Sequence, residues 1–498
     1  MRRRAWGTRK HASLRQASCR ASAARAPKAV MVAGSGNRHA RLSPPGVVQG
    51  YAVPQRQRPM SVLSSTGRDG MGMERKQFWA LLFVFGSLVL ASRLPLAPGQ
   101  LFSFDDVNFA YAIGHFDPRI SQPQPPGYPL FVVETRVLRR LRFKRAGSNL
   151  LVLSLAGSIA ALLALAWLGG EMAGTSAGWC AAWLLLFHHS FWYGALTSAI
   201  RVHLALISAA VAAACYRAWK GERRWIYGSA VALGLSAGIR PEMGALLFPL
   251  WAVSAMSAAR AAKRPREFLR GLALLAAVVL AWLVPTMLAS GGPSSYLRLC
   301  WNYLAEQSTL TSGLFGAPES KWGASVVWLC VWTLSSLLAW PLAAALAWRR
   351  SDGFGFAWSQ VVFLALWFVP SLAFAILVHI ADAGQALAMV PAVCLVGGCL
   401  ISRAVSRLEP WMSREHALLF LIVPSLLIDV LVFFRPGWYH QVQPETGWRA
   451  AVEQTWADID SGLDQTSLGQ IRRTVSADDH ALRALGTLAA ERPERTVV

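Results

Sequence analysis

The chain has 498 residues, of which 54% are hydrophobic and 15% charged, and it carries a formal net charge of +23. This apolar excess excludes an ordinary soluble domain and predicts an all-α polytopic membrane protein. The basic residues are dispersed between apolar segments without a stacking platform, so the charge does not indicate nucleic-acid binding.

Residues 1–74 form a basic extension ahead of the first apolar segment. The first 70 residues hold fourteen Lys and Arg but only one acidic residue, Asp69. They contain no apolar run, so we expect them to be disordered. Two interpretations stay open: a transit-like peptide, or an untranslated stretch upstream of a true start at Met71 or Met73.

The first apolar segment covers residues 77–94 and follows a basic pair. Basic residues concentrate on the cytoplasmic side of membrane spans, so this order predicts a cytoplasmic N-terminus and an outer loop at 95–126. The next apolar stretch, 128–141, is short for a span. The basic run at 139–145 nevertheless predicts that it crosses back to the inside.

The first outer loop contains two adjacent carboxylates, Asp105 and Asp106, at the start of a predicted short amphipathic helix. Acidic residues favour the first turn of a helix, so one of the pair could serve as a cap. A carboxylate beside an apolar surface could also act as general base towards an acceptor hydroxyl. The loop ends in Gln124-Pro125-Pro126-Gly127-Tyr128-Pro129, where the prolines hold the chain extended and the glycine permits a sharp turn.

The remaining apolar segments alternate with basic loops at 217–224, 260–266, 349–350 and 403–414. Placing these loops inside leaves residues 436–498 as a polar extracytoplasmic tail, which could be a small outer domain or disordered. An inside N-terminus and an outside C-terminus require an odd number of crossings, but the sequence shows twelve apolar elements. We therefore predict a re-entrant segment within 148–216, near the break at His188-His189-Ser190.

A tight hairpin over residues 225–256 carries Arg240 and Glu242 at its tip. Each arm is shorter than the roughly 20 residues of a full crossing, which predicts that the tip lies in the outer half of the membrane, in a cavity. Arg240 could snorkel to lipid headgroups or pair with Glu242; alternatively, it could clamp the phosphate of a lipid-linked donor. Arg201 and His203 are predicted near the same face.

Other residues carry weaker indications. His379 and Asp382 flank the outer end of a predicted span and could line a site, whereas His188 and His189 are typical of a helix-end pair in an interfacial belt. Three aromatic residues of the outer loops could form a platform for a sugar: Trp301, Tyr303 and Tyr128. No metal-ligand spacing occurs in the sequence, and most cysteines lie in apolar segments as small hydrophobic residues.

The acidic pair followed by Pro-Pro-Gly-Tyr-Pro resembles the GT-C glycosyltransferases, in particular bacterial relatives of family 39, the protein O-mannosyltransferases. Residues 234–242 and 384–391 are similar to further landmarks of that family. The resemblance covers roughly residues 75–435 and implies a GT-C-type bundle of about 11–13 transmembrane helices, with amphipathic helices in the first outer loop. Two positions depart from the family pattern: Gln124 stands where His is often found, and Gln385 where Tyr is often found.

The resemblance implies a glycosyltransferase of hexosyl or mannosyl type that uses a polyprenyl-phosphate sugar. The acceptor would be a hydroxyl on a protein, lipid or glycan, at the extracytoplasmic face of a bacterial plasma membrane. The implied catalytic residues are Asp105 and Asp106, one of them the base, and a single displacement would invert the anomeric carbon. The substrate-binding candidates are Arg240, Glu242, Arg201, Gln124, Tyr128 and His379.

No cofactor is required in this interpretation, because a phosphate leaves readily once its charge is paired, although a divalent metal is left open. The main alternative is a transporter or lipid flippase, which would place charges deep in core helices and pair discontinuous helices in two halves. A non-catalytic membrane scaffold is a third possibility. The charged residues concentrate at predicted outer helix ends and loops, which favours an outer-face enzyme.

Overall fold

Long apolar runs favour helices in this chain, because a helix satisfies its backbone hydrogen bonds internally where lipid offers no partner. The computed structural model describes residues 75–141, 145–312, 319–348, 355–378, 383–435 and 448–491. Helices account for most of these residues, and no strand occurs within the described ranges. The predicted all-α fold is therefore confirmed, while the basic extension 1–74 lies outside the described residues.

Eighteen α-helices follow one another in the described part of the chain. The first nine are α1 Arg75–Arg93, α2 Phe104–Gly114, α3 Pro129–Arg140, α4 Ala146–Ala173, α5 Thr175–Phe187, α6 His189–Thr197, α7 Ala199–Trp219, α8 Arg224–Ile239 and α9 Pro241–Ala261. The other nine are α10 Arg266–Ala289, α11 Pro293–Thr311, α12 Glu319–Leu334, α13 Trp340–Ala347, α14 Trp358–Leu377, α15 Val390–Leu408, α16 Arg414–Phe433, α17 Trp448–Asp464 and α18 Leu468–Glu491.

Eight helical segments are long and apolar enough to cross a membrane, judged by length and composition among the described residues. They are Phe78–Leu96, α4, α7, α9, α10, α14, α15 and α16. Two shorter apolar helices, α5 and Trp322–Leu334, supplement them. The chain is therefore a multi-pass integral membrane protein, as predicted.

The helix α3 is too short and too polar to cross, contrary to the prediction for residues 128–141. It has 12 residues and measures about 18 Å at 1.5 Å per residue, against roughly 30 Å of hydrocarbon. Four of its residues are charged. Arg136 donates hydrogen bonds to the carbonyl oxygens of Ala112 (3.0 Å) and Ile113 (3.2 Å) at the end of α2. The helices α2 and α3 therefore lie side by side in the first loop.

If α3 does not cross, the re-entrant segment predicted within 148–216 is no longer required to make the number of crossings odd. Eight described segments have the length and composition of a span and two shorter apolar helices supplement them, so the number of crossings and the re-entrant segment stay predictions. The helix α4 has 28 residues, and α5 ends at Phe187, one residue before α6 begins at His189. His188 and His189 are fully buried, so the prediction of an interfacial belt is wrong.

Close helix packing at the centre of the bundle depends on glycines. The helices α4, α5, α7 and α15 form this centre. A Cβ at Gly178 of α5 would lie 2.7 Å from the Gly170 nitrogen of α4, and one at Gly398 of α15 would lie 2.5 Å from the Ala177 carbonyl oxygen. Small residues let helix backbones approach in a membrane, where apolar side chains gain little by leaving lipid.

The helices α17 and α18 are joined by three residues and are here called the C-terminal hairpin. They belong to the same compact unit as α1–α16, and α17 packs against α12. Trp332 of α12 donates from Nε1 to the Gly462 carbonyl oxygen (2.9 Å), and a Cβ at Gly462 would lie 2.9 Å from Trp328. Thr466, between the two helices, is fully buried. The described part of the predicted tail is thus helical, while its boundary at residue 436 and its extracytoplasmic side stay predictions.

Candidate active site

The N-terminus of α2 is closed by a capping box. Ser103 is the N-cap residue, and its Oγ accepts a hydrogen bond from the backbone N–H of Asp106 (3.2 Å). In return, Oδ2 of Asp106 accepts hydrogen bonds from the backbone N–H (3.2 Å) and the Oγ (2.9 Å) of Ser103. A serine followed three residues later by an acidic side chain favours this motif. One member of the acidic pair therefore caps the helix.

The other carboxylate oxygen of Asp106 contacts the bundle. Its Oδ1 accepts a hydrogen bond from the Oγ of Ser198 (2.8 Å), the residue directly before α7. The Asp106 side chain is 3% exposed, and this burial raises its pKa, while the serine hydrogen bonds and the charge of Arg201 oppose the rise. Asp106 thus connects the first outer loop to α7, with both of its oxygens engaged.

A cavity of about 480 Å³ lies beside this contact. Asp106 and Ser198 line it together with Gln100 and Phe102 of the loop after α1. Among the described residues that line the cavity, neither Asp105 nor Arg240 occurs. The cavity therefore lies next to Asp106.

Asp105 belongs to a different group of residues, although it is the chain neighbour of Asp106. It is half-buried. Burial raises the pKa of the Tyr128 and Tyr303 phenols, and the negative charges of Asp105 and Glu242 raise both further, whereas Arg240 lowers both. The charges of Asp105, Glu242 and Arg240 therefore act on the same two phenols.

Tyr128 is held at the corner where the first outer loop turns into α3. Its φ of 43° is left-handed, and the preceding Gly127 has a φ of 104°. A Cβ at Gly127 would lie 3.1 Å from Pro118, so the turn has little room for a side chain. The Tyr128 ring packs edge-on against Phe109 of α2, with 5.5 Å between the ring centres. The proline-rich corner thus presses Tyr128 against the helix that carries the acidic pair.

Arg240 lies between α8 and α9 and is 6% exposed, so it does not snorkel to lipid headgroups. Its Cζ lies 5.5 Å from the centre of the Tyr128 ring, within range of a cation–π interaction. Its Nε lies 3.0 Å from Oε1 of Glu242. The hairpin arms differ from the prediction: α8 has 16 residues, but α9 has 21 and is long enough to cross.

Arg201 lies on the Asp106 side of α2, separate from the Arg240 group. Its charge acts on Asp106. Its stem covers Gly384, where a Cβ would lie 2.6 Å from the Arg201 Cγ. The glycine of the predicted 384–391 landmark therefore leaves space for the Arg201 side chain.

The other predicted site residues differ in their burial and surroundings. Gln124 is 6% exposed, and its Oε1 has no hydrogen-bond partner among the described residues, as in a site that faces a ligand or water. Tyr303 lies with Tyr128, whereas Trp301 is 70% exposed. His379 and Asp382 lie outside the described residues.

Two residues near the site, Ser198 and Glu134, were missed in the sequence. Ser198 directly precedes α7, and a serine at that position is a helix N-cap signal that could have drawn attention to it. Glu134 of α3 places its Oε2 3.2 Å from Nε2 of His203, whose Nδ1 lies 2.7 Å from the Ala199 carbonyl oxygen. This contact joins α3 to α7, and no spacing in the sequence indicates it.

Comparison with known proteins identifies the fold. No family model and no curated protein sequence matches the chain. ArnT from Cupriavidus metallidurans bound to undecaprenyl phosphate is similar with a TM-score of 0.50 and 14% identity, over 84% of this chain and 80% of that chain. The same ArnT in the apo state has a TM-score of 0.45 and 14% identity, over 78% of this chain and 77% of that chain. The Archaeoglobus fulgidus oligosaccharyltransferase in the apo form has a TM-score of 0.42 and 13% identity, over 78% of this chain and 56% of that chain. The first similarity shows that the chain shares the fold of that ArnT, which confirms the predicted fold class.

Proposed function

We propose that this protein is a membrane glycosyltransferase that moves a sugar from a polyprenyl-phosphate donor to an acceptor hydroxyl. The fold supports the donor class, because the similar ArnT structure holds undecaprenyl phosphate. The hexosyl or mannosyl nature of the sugar, the extracytoplasmic face and the bacterial plasma membrane stay predictions from the sequence.

We assign the base from the different contacts and burial of the two aspartates. Asp106 has both carboxylate oxygens in hydrogen bonds that cap α2 and contact α7. Asp105 is half-buried, and its charge acts on the same two phenols, Tyr128 and Tyr303, as the charge of Arg240 does. A general base needs access to the acceptor hydroxyl, so Asp105 is the base and Asp106 positions it.

Arg240 is the proposed partner of the donor phosphate. It is buried beside Tyr128, so its charge acts in a medium of lower polarity than water. Its Nε faces Glu242, and the two Nη atoms carry further N–H groups that can donate to phosphate oxygens. Arg201, on the other side of α2, is the second candidate for this role.

In the proposed reaction, the acceptor oxygen attacks the anomeric carbon from the face opposite the phosphate. A new carbon–oxygen bond forms, the bond between the anomeric carbon and the phosphate oxygen breaks, and its electron pair stays with the phosphate. The acceptor proton passes to the Asp105 carboxylate. The product is the inverted glycoside, and polyprenyl phosphate leaves with its new negative charge paired by Arg240.

The test uses cells that lack the protein and mass spectrometry of their lipid-linked sugars. A polyprenyl-phosphate sugar should accumulate in these cells and disappear when the wild-type chain is restored. Asp105→Asn should leave the accumulation unchanged at a normal protein level. The isosteric Asp106→Asn is the matched control and should restore part of the consumption.

The outcomes separate the two parts of the proposal. If no lipid-linked sugar ever accumulates, the enzyme assignment is wrong, and a transporter or scaffold takes its place. If Asp105→Asn restores consumption as well as the wild type does, the enzyme stands but the base is another residue.

A further inference from the structure

A second polar cluster lies inside the bundle and shares no residue with the candidate active site. His188 and His189 stand at the junction of α5 and α6, and Asp429 lies near the end of α16. All three side chains are fully buried. Each offers a ring nitrogen or a carboxylate oxygen, and these three atoms lie within 4.8 Å of one another.

The cluster leaves strong polar groups unsatisfied. Neither ring nitrogen of His188 has a hydrogen-bond partner among the described residues, and the same holds for Oδ2 of Asp429. Within the described part of the chain, Asp429 forms no ion pair with Lys or Arg, and Nε2 of His189 lies 4.0 Å from its Oδ1. A buried polar group without a partner is costly, and more so if it is charged, so three such atoms at one point call for a ligand.

Both ring nitrogens of His189 contact hydroxyls. Thr466 lies 2.7 Å from Nδ1 and donates to the Leu463 carbonyl oxygen (3.1 Å), which favours a proton on Nδ1, whereas Ser335 donates to Oδ1 of Asp429 (3.4 Å), which favours a proton on Nε2. Metal binding selects the form protonated at Nδ1, in which Nε2 carries the lone pair. Nε2 lies on the side of Asp429 and of the Ser335 hydroxyl, which is 2.7 Å away.

We propose that His188, His189 and Asp429 bind a divalent transition-metal ion, for which Zn²⁺ is the best fit. Two imidazole nitrogens and one carboxylate oxygen are ligands that zinc accepts, at bond lengths of about 2.0–2.2 Å. Neighbouring ligand atoms in such a tetrahedral site are about 3.4 Å apart, so the three side chains move inward on binding. The rings of His188 and His189, which are stacked at an interplanar angle of 19°, also turn so that both lone pairs point at one ion. The ion offsets the Asp429 charge and satisfies the unpartnered atoms of the cluster.

The surrounding hydroxyls form the outer layer of this site. A histidine that binds zinc usually donates its other ring N–H to a fixed acceptor, which is what Thr466 provides for His189. Thr466 belongs to the C-terminal hairpin, and Ser335 to the turn after α12. The metal site would therefore connect the hairpin, α6 and α16.

The test measures zinc in the full-length chain, purified in detergent with an affinity tag that uses no metal. After incubation with zinc chloride and dialysis, the wild type should hold about one zinc per chain by elemental mass spectrometry. His188→Ala and Asp429→Asn should each lose it. Thr466→Val should weaken zinc binding about 10–100-fold, as expected for a residue that orients a ligand. His203→Ala, a buried histidine elsewhere, is the control and should keep the zinc.

A measurement on the wild type alone covers the case in which a variant does not fold. With Co²⁺ in place of zinc, the folded chain should show the visible absorption of a tetrahedral site, and X-ray absorption of the zinc form should show imidazole at about 2.0–2.1 Å. A folded wild type that retains no metal, or variants that retain as much as the wild type, would overturn the proposal. The cluster would then be a purely hydrogen-bonded contact.

Discussion

At the scale of single residues, two neighbouring aspartates have separate roles because successive side chains on a helix are turned by about 100°. Asp106 faces Ser103 and Ser198, and the charge of Asp105 acts on the Tyr128 phenol. A pair of identical residues in the sequence therefore becomes one capping group and one candidate base in the fold. Tertiary contacts, above all that of Asp106 with Ser198, decide which aspartate is the capping group and which is the candidate base.

Asp106 should contribute more to stability than Asp105. We expect Asp106→Ala to lower the free energy of unfolding by about 1–3 kcal/mol, because Ser103 and Ser198 lose a buried acceptor. Asp105→Ala removes a charge from the same helical turn and should cost less than about 1 kcal/mol. Denaturant unfolding in detergent, followed by tryptophan fluorescence, measures both. Equal losses for the two variants would contradict the assignment of Asp106 as the capping residue.

At the scale of helices, the short α5 depends on close contact with α4 through Gly178. We expect Gly178→Ala to lower the free energy of unfolding by about 1–3 kcal/mol, because its Cβ would lie 2.7 Å from the Gly170 nitrogen and force the helices apart. Thermal unfolding in detergent is the measurement.

The matched control for this change lies on the facing helix. At Gly170 of α4 a Cβ meets no atom within 4 Å, so Gly170→Ala should leave stability unchanged or raise it by up to about 1 kcal/mol. If both alanine variants behave alike, close contact at Gly178 does not hold the two helices together.

The sequence predicts local structure well here and long-range contacts poorly. The short helix after Ser103, the turn at Gly127 and the hairpin tip at Arg240 all follow from residue types within a few positions. The contact between Glu134 and His203 does not, because it joins helices distant in the chain. The wrong prediction that residues 128–141 cross the membrane has a different cause. The basic residues after this segment indicated a crossing, whereas its short length and its charged residues exclude one.

At the scale of the whole molecule, a non-crossing α3 predicts that α2 and α3 lie on the same side of the membrane. We expect Arg139→Cys in α3 and Tyr111→Cys in α2, both exposed, to react with a membrane-impermeant maleimide in intact cells. Lys220→Cys, in a predicted inner loop, should react only after the membrane is permeabilised. The background chain has Cys19, Cys300 and Cys330 replaced by serine. Protection of Arg139→Cys in intact cells would restore α3 as a crossing helix.

The C-terminal hairpin has a consequence for biosynthesis. The chain is made from its N-terminus, so α1–α16 leave the ribosome before residue 466 does. His189 is therefore synthesised long before Thr466, the residue that orients it, and the interior of the bundle stays incomplete until the last part of the chain emerges. A premature stop after α16 would yield an inserted but unfinished molecule, and cellular quality control would have a reason to degrade it.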